Sequence, residues 1–300
     1  MIPLPRARRA ASDLARSFGL AVDEVRDLHA SDRLTVHLLP CDLVARVTPA
    51  AAADGARDEL ERALRLAEAG APIGAPAPRV PATVHHREGL AITLWAAHAP
   101  RTDRALPADE YADALARLHA AMRSAELELP SFTRRVEAAL ALVEDPARTP
   151  RLGDEDRAFL SETLTRWSDR VARSDAQQML HGEPHPGNVL DTPSGPVFID
   201  LEACCTGPVE FDLAHAPAQV AEHYPGADLE LLEECRILAL AIATTCRWDR
   251  EDSLPDGERL GAAWLDQVRA LVARRREVRA SPDVHRHDHD GGCTVPSPGA

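Results

Sequence analysis

Alternation between apolar and polar residues dominates the first hundred positions of the chain. Leu34, Val36 and Leu38 alternate with Thr35 and His37, the pattern of a strand that buries one face. Helical spacing of apolar residues, with Gly just beyond it, predicts helices on either side of the strands. The predicted strands are 34–38, 43–47, 82–86 and 90–95, and the predicted helices are 6–18 and 54–69, with Asp54 as N-cap. This half is therefore predicted to be a small antiparallel sheet with a helix packed on it.

Helical periodicity takes over from about residue 106. Tyr111, Leu115, Leu118 and Met122 recur at three- and four-residue intervals, which predicts one buried helix face. Further helices are predicted over 136–143, 156–172, 229–245 and 260–278. The stretch 181–212 interrupts this pattern because it is rich in Gly and Pro. The tail 281–300 has no periodicity and is predicted to be disordered.

Composition and charge exclude several classes of function. The 300 residues include 34 basic residues, all of them Arg, against 48 acidic ones, for a net charge of -14. We therefore expect neither nucleic acid nor a membrane as partner, since both require positive surface. The absence of lysine excludes Schiff-base chemistry and a Walker phosphate loop. Without a signal peptide, a spanning segment or CxxC spacing, the chain is predicted to be soluble and cytoplasmic.

The segment HGEPHPGNVLDTPSGPVFIDLE, which begins at residue 181, carries the candidate chemistry. Two short apolar strands flank turn residues centred near Ser194, so a hairpin would bring Asn188 opposite Asp200. An amide oxygen and a carboxylate are hard ligands that suit Mg²⁺. Glu183 lies just upstream, where its carboxylate could reach a hydroxyl beside such a metal. These groups are the parts that phosphoryl transfer needs.

Two alternatives to this interpretation remain. His181, Glu183 and His185 resemble a zinc triplet, but Gly and Pro within the span disfavour the helix that would bring two imidazoles together. The segment could also be a connecting loop with no chemistry. We rank the loop second and zinc third.

The segment resembles the catalytic loop of the aminoglycoside phosphotransferase family, relatives of protein kinases, whose usual form is HGDxHxxN followed by a strand and IDxE. The match covers HGEPHPGN, VFIDLE and GPVEFDLAHA with intervals preserved. The resemblance implies that Glu183 is the catalytic base, in place of the usual Asp, and that Asn188 and Asp200 are metal ligands. It also implies that His181 and Asp212 support the loop. The additional methylene of Glu183 leaves open whether turnover is full, weak or lost.

Kinase-like folds hold nucleotide phosphates with a strand lysine paired to a helix glutamate. The resemblance assigns these roles to Arg46 and Glu59, because Arg46 lies on the strand DLVARV and Glu59 lies beside the apolar stripe of its helix. The neighbouring pairs Asp58–Arg62 and Glu61–Arg65 are interpreted as a solvated helix face. The Ser31 hydroxyl is a further candidate phosphate contact. Backbone groups near 95–98 are expected to meet adenine.

Together these observations predict an α+β, two-lobed, protein-kinase-like fold with a small antiparallel-sheet N-lobe and a mainly helical C-lobe. The predicted boundaries are 1–98 for the nucleotide-binding lobe, 99–280 for the helical lobe and 281–300 for the tail. The cofactors implied are ATP and Mg²⁺. The acceptor would be a small-molecule hydroxyl, either on a cationic aminoglycoside-like antibiotic or on a metabolite. The competing hypothesis is a nucleotide-binding pseudokinase with a regulatory role.

Overall fold

The computed structural model describes residues 3–30 and 33–280, with backbone only for 278–280. The described residues up to 96 form a sheet lobe, whose five antiparallel strands run in the order β1-β2-β3-β5-β4. The strands are β1 (Val22–Ala30), β2 (Leu34–Pro40), β3 (Leu43–Pro49), β4 (His85–Arg87) and β5 (Leu90–Ala96). Two helices accompany them, α1 (Leu4–Ser17) and α2 (Ala53–Glu68).

The sheet separates an apolar core from a polar cleft. Leu43, Ala45 and Val47 alternate inward along β3 and pack with the buried side of α1. The opposite face of the same strand carries Val44 and Arg46, which are only partly buried and face the cleft. The period of two in β3 therefore fixes which side chains can reach a ligand.

Residues 108–280 form a helical lobe. Its long helices α4, α5, α8 and α9 share one hydrophobic core, while α3 packs with α2 in a second core that joins the two lobes. The helices are α3 (Ala108–Ser124), α4 (Thr133–Val143), α5 (Asp154–Val171), α6 (Val209–Leu213), α7 (Val220–His223), α8 (Leu229–Cys246) and α9 (Gly257–Ala280). None of the helices in the described ranges is long and apolar enough to span a bilayer.

Two small β-ribbons lie between the helices and include parts of the Gly- and Pro-rich segment 181–212. One pairs β6 (Gln178–Leu180) with β9 (Cys205–Gly207), and the other is the hairpin of β7 (Val189–Thr192) and β8 (Gly195–Phe198). The hairpin packs against the sheet lobe, because the Gly74 amide donates to the Phe198 carbonyl at 2.8 Å. The two ribbons thus lie where the lobes meet.

The α+β architecture predicted from the sequence is confirmed, with three corrections of detail. Strand β1 was not predicted, because most of its side chains are exposed and it shows no clear alternation. The strand predicted at 82–86 is instead His85–Arg87, since a turn occupies the residues after Pro81. Asp54 is not the N-cap of α2; it lies in the first turn and pairs with Arg57. The disorder predicted for 281–300 lies outside the described residues.

Candidate active site

The loop 181–188 is held in an extended path that only glycine permits at its second position. Gly182 has φ = +89°, and a Cβ placed on it would overlap the carbonyl oxygen of Ala203. The loop continues into a 3-10 turn at Pro186–Asn188, where the His185 ring accepts from the Gly187 amide at 3.1 Å. The backbone of this segment is therefore fixed by close contacts rather than by regular secondary structure.

Asp212, on α6, holds the start of this loop through hydrogen bonds to its backbone. Its Oδ2 accepts from the amide of His181 at 2.9 Å, and its Oδ1 accepts from the amide of Gly182 at 2.8 Å. His119 of α3 reaches the same carboxylate at 2.9 Å. Burial alone would raise the pKa of Asp212, but the hydrogen bond and charge of His119, with other nearby donors, hold that pKa below its ordinary value.

His181 connects the loop to the hairpin. Its Nε2 donates to the carbonyl of Ile199 at 3.0 Å, while its Nδ1 accepts from the amide of Glu183 at 3.3 Å. Burial lowers the pKa of His181, which fits the neutral ring that this bonding requires. Because both ring nitrogens are engaged, the zinc alternative finds no support here. Within the described ranges, no group of three or more His, Cys, Asp and Glu side chains could hold a metal ion.

The side chain of Glu183 pairs with Arg135 of α4. Arg135 contacts Glu183 Oε1 and also donates to the carbonyl of Gly182 at 2.7 Å, so one guanidinium holds both the backbone and the side chain. The Glu183 side chain remains 38% exposed. On the other side of the loop, the Tyr111 hydroxyl donates to the carbonyl of Pro184. Glu183 is thus positioned by its neighbours and still accessible from solvent.

The hairpin register differs by one residue from the expected one. Thr192 pairs with Gly195 across a two-residue turn, so the hairpin centre falls between 193 and 194 and not at Ser194. Asn188 consequently lies opposite Ile199, whose amide donates to the Asn188 carbonyl at 2.9 Å. Asp200 follows one position later, in a left-handed conformation with φ = +69°.

Asn188 and Asp200 nevertheless line one cavity between the lobes. The Asn188 amide nitrogen donates to the carbonyl of Glu183 at 3.0 Å, which leaves its side-chain oxygen as the group able to bind a cation. An amide oxygen and a carboxylate are oxygen donors of the kind that Mg²⁺ takes, with phosphate and water completing the shell. The donor set present therefore fits magnesium.

Glu59 of α2 is the centre of an ion-pair cluster across the cleft. It is almost fully buried and contacts Arg46, and its second oxygen lies 3.5 Å from Arg33. Arg33 in turn lies 2.7 Å from Asp200. Burial alone would raise the pKa of Asp200, but the hydrogen bond and charge of Arg33, and the charge of Arg46, bring that pKa below its ordinary value.

Helix α2 also forms direct hydrogen bonds to the turn at Leu201–Ala203. Arg62 donates to the carbonyls of Leu201 and Glu202 at 3.0 and 2.9 Å, and Glu59 accepts from the Leu201 amide at 3.2 Å. The predicted exposure of Asp58, Glu61 and Arg65 is confirmed, but the predicted ion pairs Asp58–Arg62 and Glu61–Arg65 are wrong. Arg62 points into the cleft, and Arg65 pairs with Glu68.

Two adjoining cavities meet at this cluster. The first, the hinge cavity, has a volume of about 670 Å³ and is lined by Val44, Trp95, Ala96, His98 and Leu190, among others. Burial lowers the pKa of His98, and its Nε2 is buried with no hydrogen-bond partner among the described residues. An apolar slot with an unsatisfied ring nitrogen at the junction of the lobes is suited to a flat heterocyclic ligand.

The second cavity, the arginine cavity, has a volume of about 820 Å³ and opens toward α4. The arginines that line it are Arg33, Arg46, Arg62, Arg134 and Arg135. The carboxylates of Asp58, Glu59, Asp200 and Glu202 line the same cavity, so the guanidinium groups exceed the acids by only one, and an anionic ligand would compete with these acids for the arginines. Arg33 and Arg46 line both cavities, so an extended ligand could bridge them.

Sequence reasoning missed three residues of this site, Arg33, Arg62 and Arg135. Their partners lie far away in sequence, so no local spacing could reveal them. The only signals were the position of Arg33 directly before β2 and, for Arg62, the helix face that it shares with Glu59. Ser31, the candidate phosphate contact, lies outside the described residues.

Comparisons with known proteins agree on the family and the fold. The model of the phosphotransferase enzyme family matches residues 26–234. No curated protein matches the chain in sequence. A choline/ethanolamine kinase family protein from Mesorhizobium loti superposes with a TM-score of 0.69 at 15% identity, covering 92% of this chain and 97% of that one.

Two further structures carry nucleotides. The GDP complex of aminoglycoside 2'-phosphotransferase-IIIa has a TM-score of 0.66 at 15% identity and covers 88% of this chain and 98% of its own. Amicoumacin kinase in complex with AMP-PNP, Ca²⁺ and its ligand has a TM-score of 0.65 at 11% identity, covering 90% and 96%. These similarities show a kinase-like fold for this chain.

Proposed function

The chain belongs to the phosphotransferase enzyme family, and from this premise we propose that it moves the γ-phosphoryl group of Mg-ATP to a hydroxyl of a small molecule. One observation carries the proposal: Asn188, Asp200 and the Arg46–Glu59 pair converge on adjoining cavities between the lobes. The nucleotide complexes of proteins with the same fold support this choice of ligand.

Each part of the nucleotide has a suitable environment. The hinge cavity offers apolar walls and the linking segment near His98 to a base, while Arg46 can bind phosphate oxygens with its two-pronged guanidinium. Its charge is held in the cleft by Glu59 and by the ring of Trp95, whose centroid lies 5.0 Å from the Arg46 Cζ. Asn188 and Asp200 would hold magnesium, which when bound neutralises charge on the phosphate oxygens.

The chemical step requires a group that takes the acceptor's proton. The acceptor oxygen bonds to the γ-phosphorus as the bond from that phosphorus to the β-bridging oxygen breaks, and ADP leaves with the electron pair. Glu183 accepts the hydroxyl proton through its exposed carboxylate, which Arg135 holds in position. The acceptor is a small molecule with a hydroxyl, either cationic and antibiotic-like or a metabolite.

The experiment measures ADP release from ATP and magnesium across a panel of hydroxylated amines and sugars. We expect at least one acceptor to raise the rate above hydrolysis in water, and we expect Glu183→Gln to reduce the stimulated rate by at least 100-fold. Glu222→Gln, an exposed change of the same chemistry on α7, serves as the matched control. Normal transfer by Glu183→Gln would remove the assigned base.

A second candidate is a pseudokinase, favoured by one contact. Arg135 occupies an oxygen of Glu183, and the longer side chain could leave the base badly aligned with an acceptor. Under this alternative the chain binds nucleotide without turnover. Glu183→Asp separates the two: a gain of ADP release would favour the pseudokinase, whereas a loss would favour an enzyme adapted to Glu.

The thiols are consistent with the proposed cytoplasmic location. Cys41, Cys204, Cys205 and Cys235 are free and buried. Burial raises the pKa of Cys205 to about 12, so its thiol is unreactive. Cys246 is free and exposed, and we propose a reducing compartment because such a thiol persists there.

A further inference from the structure

Arg33 forms more ion pairs in the cleft than the phosphate-binding candidate Arg46 does. Its guanidinium lies 2.7 Å from Asp200 Oδ2 and 3.5 Å from Glu59 Oε2, and it also contacts Glu202 Oε1. The side chain is only 16% exposed. Three carboxylates are therefore shared by one cation at the junction of the two cavities.

These contacts connect three separate elements. Arg33 directly precedes β2 in the sheet lobe, Glu59 lies on α2, and Asp200 and Glu202 belong to the segment after the hairpin of the helical lobe. A single side chain thus spans the cleft between the lobes. Its loss would leave the carboxylates of Asp200 and Glu202 near each other with only the more distant charge of Arg46 to compensate them.

Asp200 is also the carboxylate that the proposed function gives to magnesium. A guanidinium and a divalent cation are competing ligands for the same carboxylate, and each weakens the binding of the other by charge repulsion. Arg46 and Arg62 do not bind Asp200 directly, since Arg46 contacts Glu59 and Arg62 contacts backbone carbonyls. Among the cleft arginines in the described part of the chain, Arg33 alone forms an ion pair with Asp200.

We propose that Arg33 is an exchangeable internal cation: it binds Asp200 and Glu202 across the cleft, gives up Asp200 when a divalent cation binds there, and then contacts the nucleotide phosphates. The inference rests on the proposed function for the nature of both ligands. Its position on the wall of both cavities allows the same guanidinium to reach a phosphate chain after a rotation of its side chain. Metal binding and release of the lobe contact are then coupled events.

The test measures Mn²⁺ binding, from the electron paramagnetic resonance signal of the free ion, for the full chain without nucleotide. We expect Arg33→Gln to bind Mn²⁺ on the order of tenfold more tightly, since one nearby positive charge is removed. Arg33→Lys keeps the charge and is expected to bind nearly like the parent. Arg65→Gln, which removes an exposed arginine of α2 that pairs with Glu68 outside both cavities, is the matched control and is expected to change Mn²⁺ affinity less than twofold at physiological salt.

A second measurement addresses the phosphate contact. Because Arg33 stays on Asp200 without metal, calorimetric titration with ADP alone is expected to give nearly the parent affinity for Arg33→Gln, whereas at saturating Mg²⁺ the variant is expected to bind ADP several-fold more weakly. Equal losses with and without Mg²⁺ would indicate a merely structural residue and overturn the exchange. Far-UV circular dichroism confirms that each variant is folded.

Asp200→Asn distinguishes the failure of this inference from the failure of the proposed function. If Asp200→Asn abolishes Mn²⁺ binding but Arg33→Gln leaves it unchanged or weaker, the metal site stands and the exchange is overturned. If Asp200→Asn leaves Mn²⁺ binding intact, the metal site of the proposed function is itself wrong, and the exchange falls with it.

Discussion

Asp212→Asn tests the claim that one buried carboxylate fixes the loop that carries Glu183. The change keeps the shape of the side chain but replaces one acceptor oxygen with an NH₂ donor. Oδ2 accepts from both the His181 amide and His119, whereas Oδ1 accepts only from the Gly182 amide. The less costly orientation therefore turns the new NH₂ group toward Gly182, where two donors face each other.

The magnitude follows from these unsatisfied groups. The Gly182 amide and the new NH₂ group are each left without an acceptor in a site that excludes water, at about 1–3 kcal/mol apiece. Removal of a buried charge offsets part of this cost. We expect a net loss of about 2–4 kcal/mol in the free energy of unfolding, a large share of the roughly 5–15 kcal/mol that domains possess.

The assay is urea unfolding followed by tryptophan fluorescence, together with hydrogen exchange at the amides of residues 181 and 182. We expect a lower midpoint and faster exchange at both amides than in the parent. Asp169→Asn, an exposed change on α5, controls for the chemistry of the substitution. A midpoint equal to that of the control, with protection of the two amides retained, would refute the bracing role.

Three further predictions concern the same region. Gly182→Ala should lower the free energy of unfolding by about 2–5 kcal/mol, because a positive φ and an overlap with Ala203 combine. Gly226→Ala, where φ is +74° and no atom lies near the added Cβ, should lower it by only about 1–2 kcal/mol in the same urea titration. Equal losses would contradict the overlap at Gly182. A double-mutant cycle of Arg46→Ala and Glu59→Ala should give a coupling of at least about 1 kcal/mol in ADP affinity measured by calorimetry, and zero coupling would remove the pair from the site. Since the folded-state pKa of Asp212 is lowered, the stability that its carboxylate contributes is complete above the unfolded pKa near 4 and is lost as pH falls through the lower folded pKa. The urea midpoint should therefore fall less steeply with decreasing pH in Asp212→Asn than in the parent. An equally steep fall would contradict this.

Local periodicity was sufficient for those parts of the site that lie on regular elements. The alternation of DLVARV correctly predicted that Arg46 faces the cleft, and the position of Glu59 on its helix face correctly predicted that this acid is buried. Their mutual contact follows from two elements of known period packed against each other. The roles that the two residues play stay predictions.

Other parts depend on geometry that the local sequence does not determine. The hairpin register was wrong by one residue, because Thr192, Pro193, Ser194 and Gly195 are all acceptable in a turn and only the pairing of Thr192 with Gly195 sets the centre. The left-handed backbone of Asp200 then turns this side chain into the cavity that Asn188 lines. A symmetric pairing was not needed for the two side chains to share a cavity.

The arginine contacts were the least predictable feature. Arg135 and Glu183 are 48 residues apart, and Arg33 and Glu202 are 169 apart. Long-range ion pairs of this kind arise from the packing of the lobes. The i,i+4 spacing of Asp58 and Arg62 predicted a surface ion pair, because spacing along one helix carries no information about the other lobe. Arg62 instead donates to two carbonyls in the cleft.

The most direct test of the central claim is detection of the transferred group itself. Phosphorus NMR of a reaction with ATP, magnesium and the acceptor selected by the ADP screen should show a new phosphate-ester signal that grows as ADP forms. The account predicts this signal for the parent chain and its loss in Asp200→Asn, which removes the proposed metal ligand. ADP formation with inorganic phosphate as the only new signal, or an ester signal undiminished in Asp200→Asn, would contradict it.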